Sequence, residues 1–154
     1  MKIRRYLIGE ERELLSLLFN TVHRVNRRDY TQAQVDAWVP ADYDQQAWVD
    51  RLSKTQPWVA VQGDEILGFA EMDDMGRIGC FYIHHDRLGQ GVGTALLESI
   101  EAESLRLGIH RLQVEASVTA RDFFQSKGFS LVRRQTVERR GESFVNYQMK
   151  KDIG

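Results

Sequence analysis

The sequence predicts a mixed α/β domain: a central, mostly antiparallel sheet with one parallel β-α-β crossover and helices on both faces. Segments with helical spacing alternate with short runs rich in aromatic and β-branched residues, the pattern of helices packed on a sheet. Only the runs at 77–84 and 110–116 are joined through a long helix, at 91–108, which makes those two strands parallel neighbours. The chain has 154 residues, the size of one ordinary domain, so residues 1–154 form a single unit.

In chain order, residues 2–8 predict a strand. Residues 9–26 carry Leu14, Leu15, Leu18, Phe19, Val22 and Val25, the spacing of an amphipathic helix. Thr31 is placed to N-cap a short helix through Trp38 that Pro40 ends, and 44–54 predict another. The texture then changes. Residues 58–61 and 66–72 are strands about a turn at Gly63-Asp64, and 77–84 is a third run. Residues 91–108 return to helical spacing, with Gly108 as the stop. A strand at 110–116 and a short helix at 119–127 follow. Two final strands, 129–138 and 143–150, flank Arg140-Gly141-Glu142.

Composition narrows the function. Hydrophobic residues make up 42% and charged residues 28%, ordinary values for a globular chain that exclude disorder. No apolar run approaches the roughly 18 residues of a membrane span. Lys and Arg (21) balance Asp and Glu (22). A strongly basic nucleic-acid binder is thereby excluded, and any phosphate recognition is local. A single cysteine, Cys80, forbids an internal disulfide and points to a reducing compartment. The opening Met-Lys-Ile-Arg-Arg-Tyr lacks the pattern of a signal peptide, so the expected location is cytoplasmic.

The segment that carries chemistry is Leu88-Gly89-Gln90-Gly91-Val92-Gly93-Thr94, between a strand and the long helix. Its glycines allow positive φ and leave no Cβ to block a ligand, so successive amides can converge on an anion at a helix N-terminus. A pyrophosphate is the natural guest. A mononucleotide P-loop is excluded because no lysine follows the glycines. A dinucleotide fold is excluded because too little chain follows for the rest of its sheet.

Here the sequence resembles the GNAT superfamily of acyl-CoA-dependent N-acyltransferases. One hallmark matches Phe81 through Arg87, then Leu88-Gly89-Gln90-Gly91-Val92-Gly93, then Thr94-Ala95-Leu96-Leu97. A second block matches Val114 through Phe129, with Ser117 at the family's Asn position, Ala120 at its Ala, and Gly128-Phe129 at its end. The spacing Tyr30-x-x-x-Gln34-x-x-x-Trp38 resembles a branch of small bacterial members. Three residues depart from the pattern. Leu88 replaces Arg/Gln, His85 replaces proline, and Phe124 replaces a tyrosine that protonates the departing thiolate.

The resemblance implies splayed central strands and acetyl-CoA as cosubstrate. Backbone groups of Tyr82 and Ile83 would bond pantetheine, Leu88 to Thr94 would hold pyrophosphate, and Ser117 would reach the cofactor. Phe124 would pack beside the sulfur, with Phe123 and Phe129 turned to the core. The implied activity is acetyl transfer to an amine, of a small molecule or a protein, by direct attack in a ternary complex. A chain of this kind would be a monomer or homodimer. Glu71 is the first candidate for the base, with Asp73, Asp74, Glu115 and His84 as rivals, and Tyr82 and Tyr147 are candidate proton donors. Tyr30, Trp38 and Trp48 are read as core that can also line the acceptor pocket. No metal is expected: His84 and His85 are adjacent strand residues that should face opposite ways. Cys80 reads as a small buried residue. The alternative is a non-catalytic acyl-CoA-binding sensor or partner-binding module, kept open by Phe124; a nucleotide-binding oxidoreductase is a third reading.

Overall fold

A computed structural model describes Met1 to Gly154. The elements are β1 (Lys2–Arg5), α1 (Glu11–Arg24), a 3-10 turn at Asn26–Arg28, α2 (Gln32–Trp38), α3 (Gln45–Thr55), β2 (Trp58–Gln62), β3 (Glu65–Met72) and β4 (Arg77–Ile83). The chain continues through α4 (Val92–Arg106), β5 (Arg111–Ser117), α5 (Arg121–Ser126), β6 (Ser130–Arg139) and β7 (Glu142–Asp152). One sheet has the order β1-β2-β3-β4-β5-β7-β6. Every pairing is antiparallel except β4 with β5, as the single crossover predicted. No helix is long and apolar enough to cross a membrane. The first strand is shorter than expected: Tyr6 N–H makes the last bond of the ladder, to Pro57 O, which as a proline has no N–H to return, and Gly9 then turns the chain at φ 108°.

The sheet divides the core in two. On one face Leu14, Leu18 and Val22 of α1 pack with Val35 of α2, Trp48 of α3 and Phe69 of β3. On the other, Leu96 and Ile100 of α4 and Phe124 of α5 pack on Leu112, Val114 and Met149. Along β5 the alternation is regular: Leu112, Val114 and Ala116 are buried while Arg111, Gln113 and Glu115 are exposed. That exposed row faces away from α4 and α5.

Thr31 caps α2 as its sequence predicted. Its hydroxyl accepts from Gln34 N–H, and the Gln34 side chain accepts from Thr31 N–H, a complete capping box. The same glutamine donates to Ser143 O at 2.8 Å. Tyr30 donates to Val145 O at 2.6 Å and accepts from Val118 N–H at 2.9 Å. The Tyr-x-x-x-Gln-x-x-x-Trp spacing therefore fastens α2 to β7 and to the loop after β5.

One irregularity positions everything that follows. In the β3–β4 ladder Met72 faces Ile78 but Ala70 faces Phe81, so Glu71 alone opposes both Gly79 and Cys80. This β-bulge bends the bulged strand and disrupts its pairing. Side-chain parity shifts with it: Ile78 and Phe81 join the α4 side, Cys80 and Tyr82 the α1 side. Parallel pairing of β4 with β5 is confined to Arg77–Gln113 and Ile78–Val114. Beyond the bulge the two strands part.

The bulge requires a glycine. A Cβ on Gly79 would lie 2.6 Å from Glu71 Oε1, an atom itself held at 2.6 Å by Arg51 and at 2.8 Å by Cys80 N–H. Gly79→Ala should therefore cost about 1–3 kcal/mol, the range for overpacking a filled site. Urea unfolding reads this directly, and an unchanged midpoint would dismiss the contact.

Candidate active site

The opening between β4 and β5 has defined walls. Because His84 N–H donates to Leu67 O, antiparallel alternation turns the backbone of Tyr82 toward β3 and those of Phe81 and Ile83 toward the gap. Expectation and structure differ here: Ile83 faces the gap and Tyr82 does not, because the strand register is counted from the bulge. The Ile83 carbonyl accepts from Thr21 Oγ1 of α1 at 2.8 Å.

At the open end lies the glycine-rich turn. Gly89 and Gly91 have φ of 72° and 83°, left-handed conformations that glycine adopts without strain. None of the amides from Leu88 to Thr94 donates a hydrogen bond inside the protein. Gly91 is the N-cap of α4 and no side chain caps the helix. A run of unpartnered donors at the positive end of a helix is an anion cradle. Arg87 is not part of it, since its guanidinium pairs with Glu65.

On the α1 face the gap opens into a cavity of about 930 Å³ whose walls include Trp38, Tyr43, Trp48, Tyr82, Phe144 and Arg51. The expected base does not face it freely. Glu71 is 2% exposed. It accepts from Arg51 Nε and Nη2 at 3.0 and 2.6 Å, from Thr55 Oγ1 at 2.8 Å and from Cys80 N–H at 2.8 Å. Burial pushes this carboxyl upward, but the Arg51 bonds and charge, with those from Cys80 and Thr55, hold it below the ordinary carboxylate value. A carboxylate so engaged is a poor proton acceptor. The Cys80 thiol, first by burial and then by Glu71, is pushed well up, which keeps it unreactive.

The other candidates separate. Asp73 Oδ1 accepts from the amides of Met75 and Arg77, closing the β3–β4 turn, and Asp74 is exposed on that turn. Glu115 lies on the cavity wall. His84 Nδ1 accepts from Asp86 N–H. Its ring stacks on His85 at 4.4 Å, because the strand ends at Ile83, which removes the opposite-faces argument. His84, His85 and Asp86 bring ligand atoms within 4.8 Å of one another. Arg24 Nη1 sits 3.2 Å from His85 Nε2, a positive neighbour that opposes a second cation.

Tyr82 lines the cavity, against Phe69 and Trp38; burial pushes its phenol far above the ordinary value. Tyr147 is on the opposite face, with the Arg121 guanidinium 4.5 Å over its ring. Ser117 Oγ accepts from Ala120 N–H at 3.0 Å and Asn26 Nδ2 at 3.4 Å, closing the turn into α5. The phenylalanines trade places relative to expectation. Phe124 is 1% exposed and enclosed by Phe81 and Phe129, whereas half-buried Phe123 lies against Gly93 at the start of α4. Arg51, Arg139 and Asn146 on the cavity wall were not foreseen. Gly79 inside a strand was the one available signal, since an isolated strand glycine marks a bulge.

A mixed sheet forked beside an anion-binding turn defines an acyltransferase class of fold, and the comparisons agree. A model of the acetyltransferase (GNAT) domain matches residues 26–151. The chain is 32% identical over 151 residues to the uncharacterized N-acetyltransferase YafP of Escherichia coli (strain K12), spanning 97% of this chain and 95% of that protein. A GCN5-related N-acetyltransferase from Rhodopseudomonas palustris superposes with a TM-score of 0.95 at 29% identity, over 99% of this chain and 95% of that one. The PaiA N-acetyltransferase of Thermoplasma acidophilum, solved with coenzyme A, shares the fold at a TM-score of 0.77 and 15% identity, over 99% and 98% of the two chains. The protein belongs to the GNAT acetyltransferase family.

The Glu71 clamp has a pH signature. A carboxyl held below its unfolded value near about 4.3 adds stability that is complete above that value. That stability is lost as pH falls through the folded value. Glu71→Gln should be less stable at pH 7 by about 3 kcal/mol, the low end for a broken buried pair, because the Arg51 side chain is 42% exposed. Its stability should also fall less steeply on acidification. Thermal unfolding from pH 7 to 3 tests both, and parallel curves for the two proteins would refute the clamp.

Proposed function

We propose that the protein is an N-acetyltransferase that moves the acetyl group of acetyl-CoA to an amine by direct attack in a ternary complex. The observation that carries this reading is the fork: β4 and β5 separate after Ile78–Val114, with unpartnered amides at its mouth and a cavity on its far side. The turn amides take the pyrophosphate, with Thr94 as an added donor. Pantetheine runs along the backbone of Phe81 and Ile83, and Phe123, the half-buried ring, covers it in place of Phe124. The amine arrives from the cavity.

In that complex the amine nitrogen attacks the thioester carbonyl, and the carbon–sulfur bond of the tetrahedral adduct breaks. The ammonium must first lose a proton. Glu115, the one rival carboxylate on the cavity wall, accepts it through water, while Glu71 positions Arg51 and the bulge. Tyr82, with its raised pKa, keeps its proton and serves as a hydrogen-bond donor; transfer from it to a thiolate with an ordinary pKa of about 8.5 would be uphill. The departing thiolate is protonated by Tyr147 or by solvent.

Thiol release from acetyl-CoA on addition of an amine is the direct test. Tight acetyl-CoA binding with no release across an amine panel would favour the sensor reading. Glu115→Gln should lower turnover about a hundredfold or more at neutral pH, the range of general base catalysis. Turnover should recover toward alkaline pH, where free amine is abundant, and an unaltered pH–rate profile would remove Glu115 from the role.

The turn has its own test. A Cβ at Gly91 meets open space, and asparagine tolerates its left-handed φ. Gly91→Asn should therefore retain most CoA affinity by calorimetry. Isosteric Gly91→Asp places a negative charge against phosphate and should lose about tenfold or more. Equal affinities for the two variants would mean that the pyrophosphate lies elsewhere.

A further inference from the structure

The cavity is more specific than the activity. We propose that the acceptor is an amine that also carries a carboxylate, which Arg51 and Arg139 read. This rests on the acetyltransferase reading above and names its substrate class.

The argument starts from one pinned edge of a guanidinium. Arg51 spends Nε and one side of Nη2 on Glu71; its Nη1 makes no hydrogen bond, and the half-exposed side chain lines the cavity. A planar guanidinium fixed along one edge presents the other as a preorganised fork, the geometry that matches a carboxylate bidentately. An unpinned arginine would lose more entropy on binding the same group.

The second cation is Arg139, at the end of β6. Its side chain makes no ion pair, is exposed, and lines the same cavity. Its charge reaches Cys80 and Tyr82, as that of Arg51 does, so both guanidinium groups act on one stretch of wall. Arg77 and Lys150 add two more lining cations without ion-pair partners, and Glu115 is the only carboxylate among the lining residues. In a chain of net charge −1 this surplus is local. It repels polyamines and lysine-rich peptides and attracts anionic amines.

A third observation concerns the amine end. Asn146 Oδ1 is buried without a hydrogen-bond partner, as is Nε2 of Gln135 across the β6–β7 ladder, and Asn146 lines this cavity from β7, opposite Ser117 of β5. Buried acceptors are rarely left unpaired. A substrate N–H would satisfy it. Trp38, Tyr43 and Phe144 then contact the apolar body between the two ends.

The test is an acceptor panel in matched sets, followed by thiol release: phenylalanine, its amide and 2-phenylethylamine; leucine, its amide and isoamylamine. The acids should exceed their amides and decarboxylated amines by about tenfold or more in kcat/KM, the worth of a charge-assisted pair. Arg139→Gln should raise KM for the acids by a similar factor and leave the calorimetric affinity for acetyl-CoA intact. Arg139→Glu should reverse the preference within a set, and Arg139→Lys should restore part of it. Equal or better use of uncharged amines would overturn the inference while leaving the acetyltransferase reading standing. Transfer to no member of the panel, despite acetyl-CoA binding, would also overturn it. Absence of acetyl-CoA binding would instead remove the function on which it rests.

Discussion

A buried carboxylate governs the middle of this molecule. Glu71 gathers Arg51, Thr55 and the Cys80 amide, and its oxygen occupies the space where residue 79 would carry a Cβ. With Gly79 and Cys80 both opposite Glu71, β4 bends, pairing with β5 stops, and a gap opens between two central strands. Such a clamp contributes little net stability, because desolvating an ion pair offsets most of its attraction. Its yield is geometry. An apolar side chain at position 71 could pack as well, yet it would leave the Cys80 N–H without its acceptor and Arg51 without an orientation.

The fork also needs its far side held. β7 bonds β5 along its whole length, from Arg111–Asp152 to Ser117–Asn146, so β5 follows β7 where it leaves β4. Tyr30 and Gln34 tie α2 to Val145, Ser143 and the Val118 amide. Trp38 stands edge-on to Tyr30, Phe144 and Tyr82, arrangements that the aromatic quadrupole favours. The cavity roof is thus bonded to the strand that forms its far wall, and α2 cannot shift without disturbing both.

What the sequence made legible was local. The Thr31 N-cap, the α4 stop at Gly108 and the glycine-rich turn each announce themselves within a few residues. The site was harder wherever parity or distance mattered. One extra residue at the bulge shifts the two-residue period, so the gap-facing backbone cannot be counted from the start of 77–84, and the Tyr82 that the resemblance implied gives way to Phe81. Arg51 and Glu71 lie twenty residues apart on different elements, and nothing near either one signals the other. Phe123 and Phe124 sit on a helix of six residues, too short for periodicity to say which ring turns inward; docking against Phe81 and Phe129 decides it. The bonded state of Glu71 was hidden for a related reason: a strand-end carboxylate and a fully bonded one look alike until their neighbours are placed.

The molecule presents unpartnered positive groups of two different kinds on opposite sides of one fork. At the turn, backbone amides and a helix terminus supply partial charges on a rigid frame, and the nearby Arg87 is already paired with Glu65. In the cavity the positive groups are full charges on side chains, and one of them is oriented by a buried counter-ion. Backbone donors are insensitive to the side chains around them, provided glycine keeps the approach open. Guanidinium groups can be exchanged residue by residue without rebuilding the strand that carries them. A cofactor common to a family suits the first arrangement, and an acceptor that differs among its members suits the second. The Glu71 clamp is where the two meet, since the bulge that opens the gap and the arginine that faces the cavity depend on the same carboxylate.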